Sequence, residues 1–274
     1  MRKQPTLKVK TTKSKMDKSF RLFDFNVYSA DKTEEESSDD DNHEAEDMAF
    51  DDGYGDGYQY SQSQAVSKKF KDSKIFMIQM FGVNEKGETC SIIAEHFKPF
   101  FYVKVGDDWS QSKKISFLSH IKDKIGKYYE DSITECKLIK RKKLYGFDGG
   151  KLHKFVMFKF ENERAFNKVK NLWFEDKYNH KEKRKQRRLI PKGYLFDDCF
   201  TQLYEANIPP LLRYFHIKQI SPSGWVALPS KKLRKPDVKR TSCKYEWVMN
   251  YKDIIPLNDK ETPVPLKICS CLLY

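Results

Sequence analysis

The feature that most limits the fold of this chain is an acidic tract near its N-terminus. From Asp31 to Ser67 the residues are mostly acidic, small or polar, and residues 31 to 60 hold 13 acids and one base, Lys32. Aliphatic side chains are too few here to offset the conformational entropy lost on ordering. We therefore predict that residues 31–67 are a disordered acidic linker, and that the packed fold comes from the chain around it.

Outside this tract the chain is strongly basic. The whole sequence of 274 residues has a net charge of +13, and because residues 31 to 60 contribute −12, the remaining residues carry +25. A field of this sign favours polyanions, and nucleic acid ranks above an anionic membrane because no amphipathic or lipidation signal is present. Solubility alone is the competing explanation of the charge.

Several classes of protein are excluded by what the sequence lacks. It has no apolar run near the roughly 18 residues of a membrane span, and its N-terminus has no signal-peptide core. The six Cys contain no C-x-x-C pair and the six His have no metal-ligand spacing. Walker, G-x-S-x-G and G-x-G-x-x-G motifs are absent. We expect a soluble protein made inside a cell, with no catalytic residues, metal site or cofactor in this chain and no membrane partner.

From Lys74 onward the pattern is that of packed structure. Residues 75–83 (IFMIQMFGV) read as a buried strand, 84–87 as a turn, and 88–94 as the second strand of a hairpin. Pro99 opens a third strand over residues 100–105. A run with helical spacing then follows, in which one apolar face is formed by Ile115, Leu118, Ile121, Lys122 and Ile125.

The next elements suggest a known supersecondary order. Strands are predicted near residues 133–140 and 154–160, a helix over 161–174, and a closing strand over 199–204. The inward positions of that helix are Ala165, Phe166, Val169 and Trp173. We predict an α+β fold with mixed sheets and a ferredoxin-like or RRM-like β-α-β-β-α unit. We expect residues 1–30 to form a basic arm with a short docking strand near Phe20, and residues 68–274 to form the main domain.

Three basic clusters are the candidate nucleic-acid contacts. Each alone could be a solvated loop or a nuclear-import signal, but three in one small domain favour DNA binding. Aromatic residues in the turn after the first cluster are possible stacking platforms, although burial beneath the turn explains them equally well. The basic residues are Lys140, Arg141, Lys142, Lys143; Lys183, Arg184, Lys185, Arg187, Arg188; and Lys231, Lys232, Arg234, Lys235, and the aromatic ones are Tyr145 and Phe147.

Several stretches together resemble a known family. They are the opening FRLFDFNVYS, the hairpin IFMIQMFGVNEKGETCSIIAEHFKPFFYVKV, LYGF, LYEANIPPLLRYFHIKQISPSGWVALP and PVPLKICS, in this order. The likeness covers about residues 74–270. In these residues the chain resembles the N-terminal region of family B replicative DNA polymerases, most closely the delta-like enzymes of large double-stranded DNA viruses of eukaryotes. The opening FRLFDFNVYS, at residues 20–29, resembles the start of the viral members.

The resemblance implies a role in DNA replication. In such enzymes this region packs against the 3′→5′ exonuclease domain and helps to guide the unpaired template strand, so DNA and the remaining exonuclease and polymerase domains are the implied partners. The family motif Phe-Asp-Ile-Glu, whose acids bind Mg²⁺, would place its acids at Leu272 and Tyr274, which cannot hold a metal ion. The resemblance therefore implies a non-catalytic N-terminal fragment that ends at the first exonuclease motif and works in a viral replication compartment or the host nucleus.

Two other functions stay open at this point. One is a freestanding RNA- or single-strand-binding module built on the β-α-β-β-α order; against it, Phe155 and Phe158 fall on opposite faces of their strand, so both cannot be exposed platforms. The other is a nuclease with an unrecognised set of carboxylates, which would need to assemble a metal site from scattered acids.

Overall fold

The computed structural model describes residues 18–31, 74–143, 148–179 and 184–257. Within these residues the chain forms thirteen strands and three α-helices, joined by short 3-10 turns. The elements are β1 Lys18–Asp31, β2 Lys74–Val83, β3 Thr89–Glu95, β4 Phe100–Lys104, α1 Gln111–Ile125, β5 Ile133–Lys142, β6 Leu152–Phe160, α2 Glu163–Lys170, β7 Phe174–Asn179, β8 Arg184–Leu189, β9 Tyr194–Phe196, β10 Cys199–Tyr204, α3 Pro210–Lys218, β11 Trp225–Leu228, β12 Tyr245–Asn250 and β13 Ile255–Pro256.

A six-stranded sheet has the order β12-β3-β2-β1-β11-β13. Strands β2 and β3 form the predicted hairpin, and β12 joins β3 in parallel at one edge. One face of the sheet carries a core that includes Phe20, Ile78, Ile92 and Val226, and α3 adds the fully buried Tyr214 to it. Burial of these large apolar side chains, rather than local propensity, holds the sheet together.

Strand β1 differs from the predicted arm and linker. It is 14 residues long and lies inside the sheet, paired with β2 on one side and β11 on the other. Its last residue, Asp31, is the register partner of Lys74, and their side chains form an ion pair at 2.7 Å. Residues 32–73 therefore connect two neighbouring antiparallel strands, although the predicted disorder of this tract lies outside the described residues. A single sequence carries no signal for a strand partner so far along the chain.

A five-stranded antiparallel sheet has the order β5-β6-β4-β10-β9. Its core contains Phe101, Val103, Phe158 and Phe160, and both α1 and α2 pack on that core. The four predicted inward residues of the second helix region are at most 3% exposed: Ala165, Phe166, Val169 and Trp173.

The predicted apolar face of α1 is shifted in the structure. Phe117, Ile121 and Ile125 are buried, whereas Ile115 is 60% exposed. Residues four positions apart share one face of a helix, and the row that contains the Phe117 ring buries more apolar surface than a row starting at Ile115. Trp109 and Phe196 both contact the Phe117 ring, which explains why this row faces the core.

The basic stretch after α2 forms a hairpin rather than a loop. Strands β7 and β8 pair with each other as a separate two-stranded sheet. Glu175 lies opposite Arg188 and Asp176 opposite Arg187, so acidic side chains face basic ones across the pair. Cross-strand pairs of opposite charge stabilise antiparallel strands modestly, and a scan for apolar alternation does not detect them. In the described part of the chain no helix is long and apolar enough to cross a membrane.

Candidate nucleic-acid interface

The first basic cluster lies at the end of an edge strand. Lys140, Arg141 and Lys142 end β5 and are exposed, but Lys143 is only partly exposed and contacts Asp148 at 3.4 Å. Among the described residues, three of the four cations in this cluster are therefore exposed without an ion-pair partner. Tyr145 and Phe147, the predicted stacking residues, lie outside the described residues.

Asp148 is the first described residue after the segment that follows β5. His153 Nε2 lies 2.5 Å from one of its carboxylate oxygens, and this hydrogen bond, aided by Lys143, lowers the pKa of Asp148. On the other ring nitrogen of His153, Asp107 lies at 3.9 Å. Asp148 and Asp107 are thus linked through a mostly buried histidine, and Lys143 belongs to the same group of charges.

The second basic cluster lies on the β7–β8 hairpin. Lys185, Arg187 and Arg188 are exposed on β8. Arg187 Nε approaches Asp176 at 3.5 Å, and Arg188 donates a hydrogen bond of 3.0 Å to Gln186. Lys183 and the side chain of Arg184 lie outside the described residues. The hairpin holds its cations along one extended strand, which is a geometry that can follow a phosphate backbone.

The third basic cluster lies on the six-stranded sheet, after β11. Lys231 and Lys232 belong to the 3-10 turn Ser230–Lys232, where Lys232 pairs with Asp253, and Arg234 pairs with Glu95. Lys231 and Lys235 are exposed and make no ion pair with the described residues. The three predicted clusters therefore lie on three separate elements, and in each of them one or more cations are paired with acids.

The stretch YEANIPPLLRY connects the two sheets through side-chain contacts. Arg213 of α3 is 7% exposed and donates hydrogen bonds of 2.7 Å to the carboxylate and to the backbone oxygen of Glu205, which follows β10. Its guanidinium lies 4.6 Å from the ring of Phe100 in β4, while the next residue, Tyr214, enters the core of the other sheet. These residues are structural, and no pattern in the sequence separates that role from DNA contact.

One group of basic and aromatic side chains was missed by sequence reasoning. The ammonium of Lys18 lies 3.7 Å from the ring centroid of Trp247, and Tyr245 lies beside it. Phe20, near the start of β1, also contacts the ring of Tyr245. Residues of β1 and β12 approach each other only in the folded chain, so no local pattern could have found them.

The described residues contain no cluster suited to a metal ion. No three His, Cys, Asp or Glu side chains in the described ranges lie close enough together to hold one. Of the thiols there, Cys90 is fully buried, and its burial raises its pKa well above the usual range. A thiol of this kind stays protonated and unreactive at neutral pH.

Comparison with known proteins points to one family. Residues 201–271 match the family model for the exonuclease domain of family B DNA polymerases. The chain is 46% identical over 257 residues to a DNA polymerase of Phaeocystis pouchetii virus, covering 92% of this chain and 22% of that protein. It is 26% identical over 209 residues to a DNA polymerase of Acanthamoeba polyphaga mimivirus, covering 72% of this chain and 11% of that protein.

Similarity also extends to proteins from cellular organisms. The DNA polymerase delta catalytic subunit of Schizosaccharomyces pombe is 25% identical over 200 residues, which are 71% of this chain and 17% of that subunit. A solved family B DNA polymerase from the archaeon Pyrobaculum calidifontis aligns with a TM-score of 0.40 and 19% identity, over 64% of this chain and 18% of that one. The chain spans between 11% and 22% of the length of the three curated relatives named here.

Proposed function

Because the chain is related to family B DNA polymerases and resembles their N-terminal region, we propose that it is the DNA-binding and scaffolding part of such an enzyme. In this role it guides the template strand and packs against the 3′→5′ exonuclease domain. The observation that carries the proposal is the set of exposed cations on three elements of a chain that is 46% identical to a viral DNA polymerase. Cations placed this way bind phosphates without reading sequence.

The proposed packing against other polymerase domains has support from α3. Leu212 and Ile217 of this helix are 54% and 47% exposed, and Ile208 just before it is 39% exposed. All three lie in the segment that matches the exonuclease-domain model. Several large apolar side chains exposed within ten residues of the chain favour a protein contact, so we propose that the rest of the enzyme covers them.

We propose that this part of the enzyme does not itself catalyse a reaction. Positions 272 and 274 hold Leu and Tyr where the resembled motif has Asp and Glu, although both positions lie outside the described residues. Mg²⁺, which the intact family uses, would then be held by acids elsewhere in the enzyme. The proposed site of action is a viral replication compartment or the host nucleus.

Salt-dependent DNA binding by a hairpin variant tests the proposal. Lys185, Arg187 and Arg188 are replaced by Ala in the full chain, and duplex DNA binding is measured by fluorescence anisotropy at several salt concentrations. The matched control replaces Lys124, Lys127 and Lys168 by Ala, since these are also exposed lysines but lie outside the clusters. Both variants remove the same net charge, so a difference between them reports position rather than overall charge.

The expected result is a change in salt dependence. If β8 binds phosphates, its variant lowers the slope of log K against log salt by about 2 to 3, or roughly 0.9 for each phosphate that the variant no longer neutralises. The control variant keeps nearly the full slope. Equal slopes for the two variants would show that the hairpin is a solvent-exposed surface that does not contact phosphates. If the unmodified chain does not bind DNA, the proposed function is wrong.

We also propose that the five-stranded sheet is a ferredoxin-like unit. Along the chain the elements follow the order β4-α1-β5-β6-α2-β10 when β7, β8 and β9 are left out. In the sheet the neighbours are β5-β6-β4-β10, so the last strand pairs with the first. Here β7, β8 and β9 are insertions before the last strand. The alternative of a freestanding RNA-recognition module is disfavoured, because Phe155 and Phe158 are 3% and 0% exposed and neither can stack a base.

A further inference from the structure

A pocket of about 390 Å³ opens beside β12, the edge strand of the six-stranded sheet. It forms because the first residues of β1 extend beyond the end of β2 and reach across to β12, where Phe20 meets Tyr245 edge to face. The loop between β11 and β12 supplies the opposite wall. The charged and aromatic lining residues are Lys18, Lys235, Lys239, Lys244, Tyr245, Glu246 and Trp247.

The charge of this pocket is strongly positive. Four lysines line it against one acid, Glu246, whose carboxylate accepts a hydrogen bond from the backbone N–H of Arg240. Lys244 is paired with Glu88. Lys235 and Lys239 are exposed and make no ion pair with the described residues, so their charge is available to an anion. Concave surfaces lined by one sign of charge concentrate ligands of the other sign.

Two aromatic rings form part of the same wall. Tyr245 and Trp247 lie on one face of β12, with ring centroids 6.3 Å apart and ring planes only 14° from parallel. Both rings are partly exposed. The Lys18 ammonium lies 3.7 Å from the Trp247 centroid and 5.5 Å from that of Tyr245, which fixes this cation at the aromatic wall by a cation–π contact.

A second pocket continues the first in the direction of the β2–β3 turn. It has a volume of about 310 Å³ and shares Lys18 and Tyr245 with the first pocket. Asn84 and Lys86 of the turn add polar and positive groups to it, and Glu85 and Glu88 add two acids, of which Glu88 is paired with Lys244. The two pockets are therefore adjacent, with Lys18 and Tyr245 between them, and together they are called the groove below.

We propose that this groove binds a single DNA strand, with its phosphates on Lys235, Lys239 and Lys18 and one base against the part of the Tyr245 and Trp247 rings that Lys18 leaves exposed. Aromatic platforms bordered by cations are how proteins hold single strands without reading sequence. A base inside a duplex is already paired and stacked, so its face cannot reach the rings. The inference rests on the proposed DNA-binding function and adds to it the residues that hold the unpaired strand.

Anisotropy titrations of the full chain with a short labelled oligothymidylate and a labelled duplex test this. Trp247→Leu keeps an apolar side chain against the core but removes the ring, and it should weaken single-strand binding roughly tenfold with little effect on duplex binding. Lys235→Gln with Lys239→Gln should lower the single-strand salt slope by about 1.4, at about 0.7 for each phosphate that is no longer neutralised. Lys124→Gln with Lys127→Gln is the control of equal charge and should keep the slope.

The outcomes separate this inference from the proposed function. If the unmodified chain binds no DNA, both fail. Suppose instead that the chain binds DNA and that the β8 variant binds it more weakly. If the Trp247 and Lys235/Lys239 variants then bind as the control does, the proposed function stands and the groove assignment is wrong. Equal losses of affinity for single strand and duplex would also overturn it, as would tighter binding of an acidic peptide than of the oligonucleotide.

Photocrosslinking gives a readout that does not depend on how well a variant folds. The unmodified chain is irradiated with an oligonucleotide that carries 5-iodouracil, and the crosslinked peptide is identified by mass spectrometry. We expect the crosslink in the peptide that contains Tyr245 and Trp247. Crosslinks confined to the β7–β8 hairpin or to β5 would show that the single strand lies elsewhere.

Discussion

At the scale of single residues, Glu88 shows how one carboxylate organises the edge of the six-stranded sheet. It follows the β2–β3 turn and accepts hydrogen bonds from Lys244, from Asn84 Nδ2 at 2.7 Å and from Tyr245 Oη at 3.0 Å. Led by the Lys244 contact, these donors lower its pKa from 4.5 to about 2. All three donors line the proposed groove, and Glu88 positions two of its lining residues, Lys244 and Tyr245.

The lowered pKa predicts how stability depends on pH. A carboxylate with a depressed pKa in the folded state stabilises it above its unfolded pKa and loses that effect as pH falls through the folded one. The stability that wild type gains over Glu88→Gln should therefore be complete above pH 4.5 and should disappear toward pH 2. Urea unfolding at several pH values measures it. Glu85→Gln, in the same turn but without these contacts, is the control, and an equal pH response from both variants would contradict the assignment.

At the scale of elements, the acidic tract has a position that the sequence alone could not give. Because Asp31 and Lys74 are paired neighbours, residues 32–73 are an insertion between β1 and β2. Residues 33 to 67 contain 12 acids and neither Lys nor Arg. The insertion begins beside a third pocket, of about 360 Å³, which is distinct from the proposed groove. Ala30, Asp31 and the basic residues Arg234, Lys235 and Arg240 are among its lining residues. The tract is therefore tethered close to the third basic cluster.

Replacing residues 32–73 by an Asn-Gly turn tests the effect of this charge on DNA binding. Asn-Gly suits a two-residue hairpin connection, so β1 and β2 should keep their register. Loss of the tethered acids should tighten DNA binding at low salt and have little effect at high salt, where the charges are screened. The control keeps the full length and changes the 12 acids to Asn and Gln. Unchanged affinity at low salt in both variants would show that the tract does not compete with DNA.

The elements that could be predicted are those with a short-range signal. The β2–β3 hairpin, β4, β6 and the buried row of α2 follow from apolar periodicity, and the structure has them close to the predicted bounds. Apolar periodicity does not predict a strand whose pairing depends on charge pairs or on a partner far along the chain. The β7–β8 hairpin is held by cross-strand charge pairs, and the place of β1 depends on β11, about two hundred residues away. For the same reason the basic clusters were visible, but the groove at Lys18 and Trp247 was not.

At the scale of the whole molecule, two separate cores must be joined for the chain to behave as one body. One core belongs to the six-stranded sheet and the other to the five-stranded sheet with α1 and α2. Helix α3 contacts both sheets, because Arg213 faces Phe100 of β4 and Glu205 after β10, while Tyr214 lies in the first core. Backbone bonds such as Phe76 N–H to Glu161 C=O, 2.9 Å, add a second connection.

Removal of the Arg213 guanidinium should uncouple the two cores. Arg213→Met removes the charge but keeps an apolar side chain against the Phe100 ring, and it leaves Glu205 unpaired. A buried pair broken on one side costs roughly 3–5 kcal/mol, and since the Glu205 side chain is 36% exposed we expect about 2–3 kcal/mol. That corresponds to a fall of roughly 5–10 °C in melting temperature for a chain of this size.

Calorimetry of Arg213→Met, Glu205→Gln and the double variant measures both the destabilisation and the coupling. The double variant should be destabilised by less than the sum of the two single variants, because each single change already removes the pair. Wild type should unfold in one transition, and Arg213→Met should separate the unfolding of the two cores into two. If Arg213→Met melts once at the wild-type temperature, the backbone connections alone join the cores. The YEANIPPLLRY stretch would then need another physical explanation.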